Sequence, residues 1–106
     1  MAESVALMES RNENPVTRWK SSVVCTRRRE GTFSLQLRVD GELGTCRDRS
    51  ITRIRSPKKF VEGLFSVADW SELKFDRAEI AGEICERLSK LDTEFADAVA
   101  DYINSD

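Results

Sequence analysis

The chain has 106 residues, of which 40% are apolar and 34% charged, with 17 basic and 19 acidic side chains, three cysteines and no histidine. That length makes one domain with one modest core, and the charge density and apolar fraction exclude a disordered chain. Charged residues interrupt every apolar run before it reaches membrane-span length.

The opening M-A-E-S-V-A-L-M-E-S-R brings acid before any apolar block, so it does not read as a secretory signal, and the expected compartment is the cytoplasm or the nucleus. The absence of histidine removes the commonest general base and the commonest metal ligand. Cys25, Cys46 and Cys85 are odd in number and widely spaced, which fits buried thiols in a reducing compartment better than a disulfide framework or a zinc knuckle. No cofactor or metal is expected. No nucleotide-binding glycine loop, nucleophile elbow or paired Cys-x-x-Cys is present, and the expectation is a protein that is not an enzyme.

Taken in chain order, residues 1–14 are polar and end in Asn12-Glu13-Asn14-Pro15, and are expected as a flexible tail or one short helical turn. The remainder, residues 15–106, reads as a single domain in two halves: a basic β-meander over 15–55 and an acidic helical half over 57–104. Val16 to Thr26 is rich in β-branched residues and reads as a strand, with Trp19, Val23 and Cys25 on one face and Arg18, Lys20 and Arg28 on the other. Thr32 to Val39 is the clearest strand. Phe33, Leu35, Leu37 and Val39 alternate with Thr32, Ser34, Gln36 and Arg38, which sets one face in the core and one in water. Glu30-Gly31 precedes it as a turn, and Asp40-Gly41 follows as a hairpin dipeptide.

Glu42 to Arg55 returns as the next strand, broken or bulged near Asp48. On a regular strand Arg47, Arg49, Arg53 and Arg55 share one parity with Ile51 and form an outward ridge, while Cys46, Ser50, Thr52 and Ile54 turn inward. This inner face is weakly apolar, as expected for a short or edge strand, and edge strands also use charge to block aggregation.

Ser56-Pro57 starts a helix, with serine as N-cap and proline at the first helical position; Phe60, Val61, Leu64 and Phe65 give its apolar stripe to about Val67. Residues 68–75 read as a short helix or a connector that tucks Trp70, Leu73 and Phe75 into the core. Asp76 with Glu79 is a capping pattern for the last helical stretch, which is either one long helix or a hairpin broken at Asp92-Thr93. Ile84, Leu88, Leu91, Phe95 and Tyr102 line its heptad-like stripe, for the core or a homodimer interface. Glu83, Glu86, Asp97 and Asp101 make the opposite face acidic. The fold class is therefore α+β: a three- to four-stranded antiparallel sheet in the first half, packed by C-terminal amphipathic helices.

The charge is divided along the chain. Residues 16–59 hold twelve basic and four acidic side chains, net +8, whereas residues 60–106 hold four basic and twelve acidic, net −8. Such asymmetry points to a polyanion partner, unless the acidic helices fold back and neutralise the basic sheet. The candidate nucleic-acid-binding set is Arg18, Lys20, Arg28, Arg38, Arg47, Arg49, Arg53, Arg55, Lys58 and Lys59. Arginine forks onto phosphate oxygens, and no helix is basic enough to read a duplex groove, so RNA or single-stranded DNA is the expected partner, bound by a homodimer. Ser56 in Ser56-Pro57-Lys58-Lys59 is also a candidate phosphosite beside the ridge. The alternative is a protein-interaction module (adaptor, chaperone or inhibitor) that uses the acidic helical face.

Overall fold

The computed structural model describes the backbone of residues 3–9, 20–41, 44–70 and 76–105. Four strands, β1 (Glu3–Glu9), β2 (Lys20–Arg27), β3 (Phe33–Gly41) and β4 (Gly44–Ile54), form one antiparallel sheet in the order β1-β2-β3-β4. The helices follow in the second half: α1 (Pro57–Trp70), α2 (Arg77–Glu79), a π turn (Ile80–Ile84), α3 (Cys85–Leu88) and α4 (Thr93–Asn104). This is the expected α+β layout, a meander packed by C-terminal helices. Among the described residues, no helix is long and apolar enough to cross a membrane.

β3 sits between two neighbours and anchors the core. Phe33, Leu35 and Leu37 are all buried and face the helices, opposite Arg38 in solvent. Thr32 and Ser34, expected in water, are buried as well. Ser34 is short and lies between Thr26 on β2 and the bulge at residues 52–53 of β4. Phe33 stacks on Phe95 of α4 at 4.2 Å between ring centres, and Phe60 of α1 meets the same ring edge-on at 5.4 Å. Three elements thus meet on one aromatic cluster, which ties the helical layer to the sheet.

The tail expected over residues 1–14 is instead, from Glu3 to Glu9, an edge strand. Leu7 is 1% exposed, with Val5 and Met8 packed against the core. The register with β2 shifts between Ala6 and Met8, so the bulge places two apolar residues side by side and hides the period of two. Residues 10–19, including Arg18, Trp19 and the start of the expected first strand, lie outside the described residues.

The β2–β3 turn runs over Arg28–Thr32. The Gly31 N–H donates to the Arg28 carbonyl at 3.0 Å, and Gly31 has φ +81°, which an L side chain adopts only with strain. The β3–β4 turn comes later than Asp40-Gly41 suggests. Gly41 is still in β3 and pairs with Gly44, which leaves residues 42–43 between the strands.

The helical half folds as a hairpin rather than as one long helix. Asp76 caps the first arm by accepting from the Glu79 N–H at 2.9 Å. The chain turns at residues 89–92, and Asp92 caps α4 by accepting from the Phe95 N–H at 3.0 Å. Within the first arm the π turn lets Ile80, Ile84, Cys85 and Leu88 all face the core. The expected stripe is therefore core: Ile84, Leu88 and Leu91 are buried, and Phe95 and Tyr102 pack against the same cluster.

Candidate nucleic-acid interface

The parity that would line four arginines along β4 does not survive the strand's two bulges. Arg47 pairs with Arg38 and Ser50 with Gln36, so β4 advances three residues while β3 advances two. The same happens between Ile51, opposite Leu35, and Ile54, opposite Phe33. As a result Ile51 turns to the helices with Ile54, while Ser50 and Thr52 are exposed rather than inward-facing. Arg53 sits in the second bulge with φ 59°, an uncommon conformation for a residue other than glycine.

What the fold assembles instead is a basic end of the sheet. Arg27, Phe33 and Ile54 lie in one row across β2, β3 and β4. Just beyond that row come Arg28 and Arg29 in the β2–β3 turn, Arg55 after β4, and Lys58 and Lys59 in the first turn of α1, with Arg53 in the β4 bulge just before the row. All six are exposed. Ser56 fixes the start of α1: its carbonyl accepts from the Phe60 N–H at 3.0 Å and its hydroxyl from the Lys59 N–H at 3.3 Å. The helix N-terminus thus adds its partial positive charge to the cluster. Arg29 was not among the residues singled out by strand parity, because it lies in a turn; the run Arg27-Arg28-Arg29 before Glu30-Gly31 is the signal for it.

The ion pairs of the acidic helical half are made elsewhere. Among the described residues Arg27 pairs with Asp92 at 3.8 Å and Arg87 with Glu83 at 3.2 Å, and neither pair uses any of the six cations. Arg27 also donates to the Leu91 carbonyl at 3.2 Å, so it tethers β2 to the α3–α4 turn and is structural. Glu83, Glu86, Asp97 and Asp101 are exposed on the helical layer.

The remaining candidates divide by position. Arg38 is exposed on the open sheet face, opposite Ser22 and Arg47. Lys20, Arg47 and Arg49 are placed by their backbone alone, and Arg18 lies outside the described residues. The open face also carries the Ser4 and Thr26 hydroxyls, hydrogen-bonded at 2.8 Å, and Gln36 and Ser50, with Ala6 and Val24 as apolar residues among them. Phe33 provides no stacking platform there, since its ring lies in the core.

Two thiols are also settled by burial. It pushes the Cys25 thiol up to about 12, and raises that of Cys85, with the Asp97 carboxylate adding to the effect. Both stay protonated at neutral pH and are poor nucleophiles. Among the described residues no cluster of three cysteine, aspartate or glutamate side chains could hold a metal ion.

Comparison with protein-family models, with characterised proteins and with solved structures finds no match for this chain.

Proposed function

We propose that this protein binds nucleic acid without catalysis, holding the phosphate backbone of RNA or single-stranded DNA at the basic end of its sheet. The observation that supports this is the group of six exposed cations, Arg28, Arg29, Arg53, Arg55, Lys58 and Lys59, with no charge partner among the described residues. Arginine and lysine at such density engage phosphates, and the neighbouring Ser, Thr and Gln hydroxyls and amides on the open face extend the contact. The one large apolar side chain exposed among the described residues, Phe65 of α1, lies two turns beyond Lys58 and outside the six cations, so the basic end itself favours backbone contact over base readout. The reading goes with a cytoplasmic or nuclear protein.

Fluorescence anisotropy with labelled single-stranded RNA, single-stranded DNA and duplex tests it. With about six phosphate contacts, log K against log salt should fall with a slope of about −4 on single strands. Arg28→Glu with Arg29→Glu, and separately Arg53→Glu with Arg55→Glu, should each weaken binding more than tenfold while leaving the fold intact. No binding at low salt, or binding indifferent to both pairs, would overturn the proposal. The rival reading, an interaction module, rests on the exposed acidic face; there Glu83→Lys with Asp97→Lys should remove a protein partner and leave RNA binding unchanged.

A further inference from the structure

β4 is an edge strand: it pairs with β3 on one side, and no described strand pairs with it on the other. Beside that edge runs an open groove of about 410 Å³ between residues 51–54 of β4 and the Lys59, Glu62, Gly63 and Ser66 side of α1. The four α1 positions recur at i, i+3, i+4 and i+7, so they form one helix face. Gly63 brings that face close to the sheet: a Cβ there would lie 3.1 Å from Leu35 Cδ1 and 3.4 Å from Ile51 Cδ1. The groove is therefore a slot with the end of β4 on one wall, a helix on the other and aliphatic carbon beneath.

We infer that this slot takes a short, extended, acidic peptide segment of a partner protein, laid along β4 by strand addition. An unpaired strand edge offers main-chain donors and acceptors, which is the chemistry an extended peptide completes. The α1 face is about 10 Å long, which matches about three residues of extended chain. The second bulge, at residues 52–53, keeps the pairing that short, so charge has to supply much of the selectivity. Arg53 and Lys59 line the slot against the single carboxylate of Glu62, and the exposed Arg55 and Lys58 are their neighbours in the chain. A second copy of this chain is the wrong occupant, because β4 laid against β4 would set these cations against their own counterparts. The inference does not rest on nucleic-acid binding, although Arg53 and Lys59 belong to both surfaces and the two ligands would compete for them.

The test is anisotropy of a fluorescein-labelled, end-blocked peptide that alternates glutamate and valine. The glutamate peptide should bind, and the same peptide with lysine for glutamate should bind more than tenfold more weakly. N-methylation of alternate peptide amides should weaken binding at least fivefold, because it removes donors to the strand edge. Ser66→Trp, which fills the slot, and Arg53→Glu with Lys59→Glu, which reverses its charge and stays on the surface, should each cost more than tenfold. Arg28→Glu with Arg29→Glu should leave peptide binding within twofold while it weakens RNA binding. The inference is overturned if the glutamate peptide fails to bind, if it binds no tighter than the lysine peptide, or if both slot variants bind it like the parent. It is also overturned if Ser66→Trp abolishes RNA binding and spares the peptide.

Discussion

At β1 the helical layer closes over the sheet: α3 packs against the strand, and Arg87 donates to the Ala6 carbonyl at 3.3 Å while holding Glu83 with its other terminal nitrogen. At β4 no such clasp is found among the described residues, and the strand has two bulges, a left-handed Arg53 and a run of cations where β1 has a buried leucine and a clamp. Both are ways to keep a sheet edge from pairing indiscriminately. They differ in what they leave behind. Both edges feed the core, β1 through Leu7 and β4 through Ile54, but the β1 edge is tied to the helical layer by Arg87, whereas the β4 edge is lined by cations that filter by charge what can approach.

The largest expected effect comes from breaking the closed edge at its anchor. Leu7→Ala should lower unfolding stability by about 3 kcal/mol in denaturant titration, since it removes a fully buried side chain and leaves a cavity behind β1. The next effect tests the ground just behind that edge, where Cys25 pairs with Val5. The unfolded thiol ionises near 9.0 and the folded one near 12, so unfolding releases a proton across that interval. Stability is then fully held below pH 9 and falls above it by about 1.4 kcal/mol per pH unit from this group. Cys25→Ala should flatten that alkaline slope, and an unchanged slope would assign it elsewhere. Arg87→Leu should cost about 1 kcal/mol and speed hydrogen exchange in β1 while sparing β4. Smallest, and opposite in sign, Arg53→Gly should raise stability by about 0.5 kcal/mol by relieving the left-handed conformation, yet weaken RNA and peptide binding together. A stability loss there would mean that the Arg53 side chain holds the bulge in place.

Where local chemistry was sufficient, the fold was legible in the sequence. Phe33, Leu35 and Leu37 alternate because β3 is regular, and Ser56, Asp76 and Asp92 cap helices through contacts made within three residues. The failures at β1 and β4 share one cause. Each bulge adds a residue that no single-strand pattern reveals, since the extra residue exists only relative to a partner strand. It disguised β1 by placing Leu7 beside Met8, and it took Ile51 out of the arginine ridge. The site was legible in its composition, as a basic first half, but not in its geometry. Arg28 and Arg29 join Arg53, Arg55, Lys58 and Lys59 only because the β2–β3 turn and the end of β4 finish at the same rim of the sheet.

The π turn at Ile80–Ile84 makes the chain length negotiable at one point. It accommodates one residue more than an α-helical turn would, and Gly82 within it is exposed with open space around its Cα. Deleting Gly82 brings Ile80 and Ile84 to a spacing of three and Ile80 and Cys85 to four, both of which keep these side chains on a common α-helical face. The shortened chain should fold with its core contacts preserved and gain helical regularity. Deletions inside α1 or α4, where no spare residue is stored, should rotate every later core side chain by about 100° and unfold the domain.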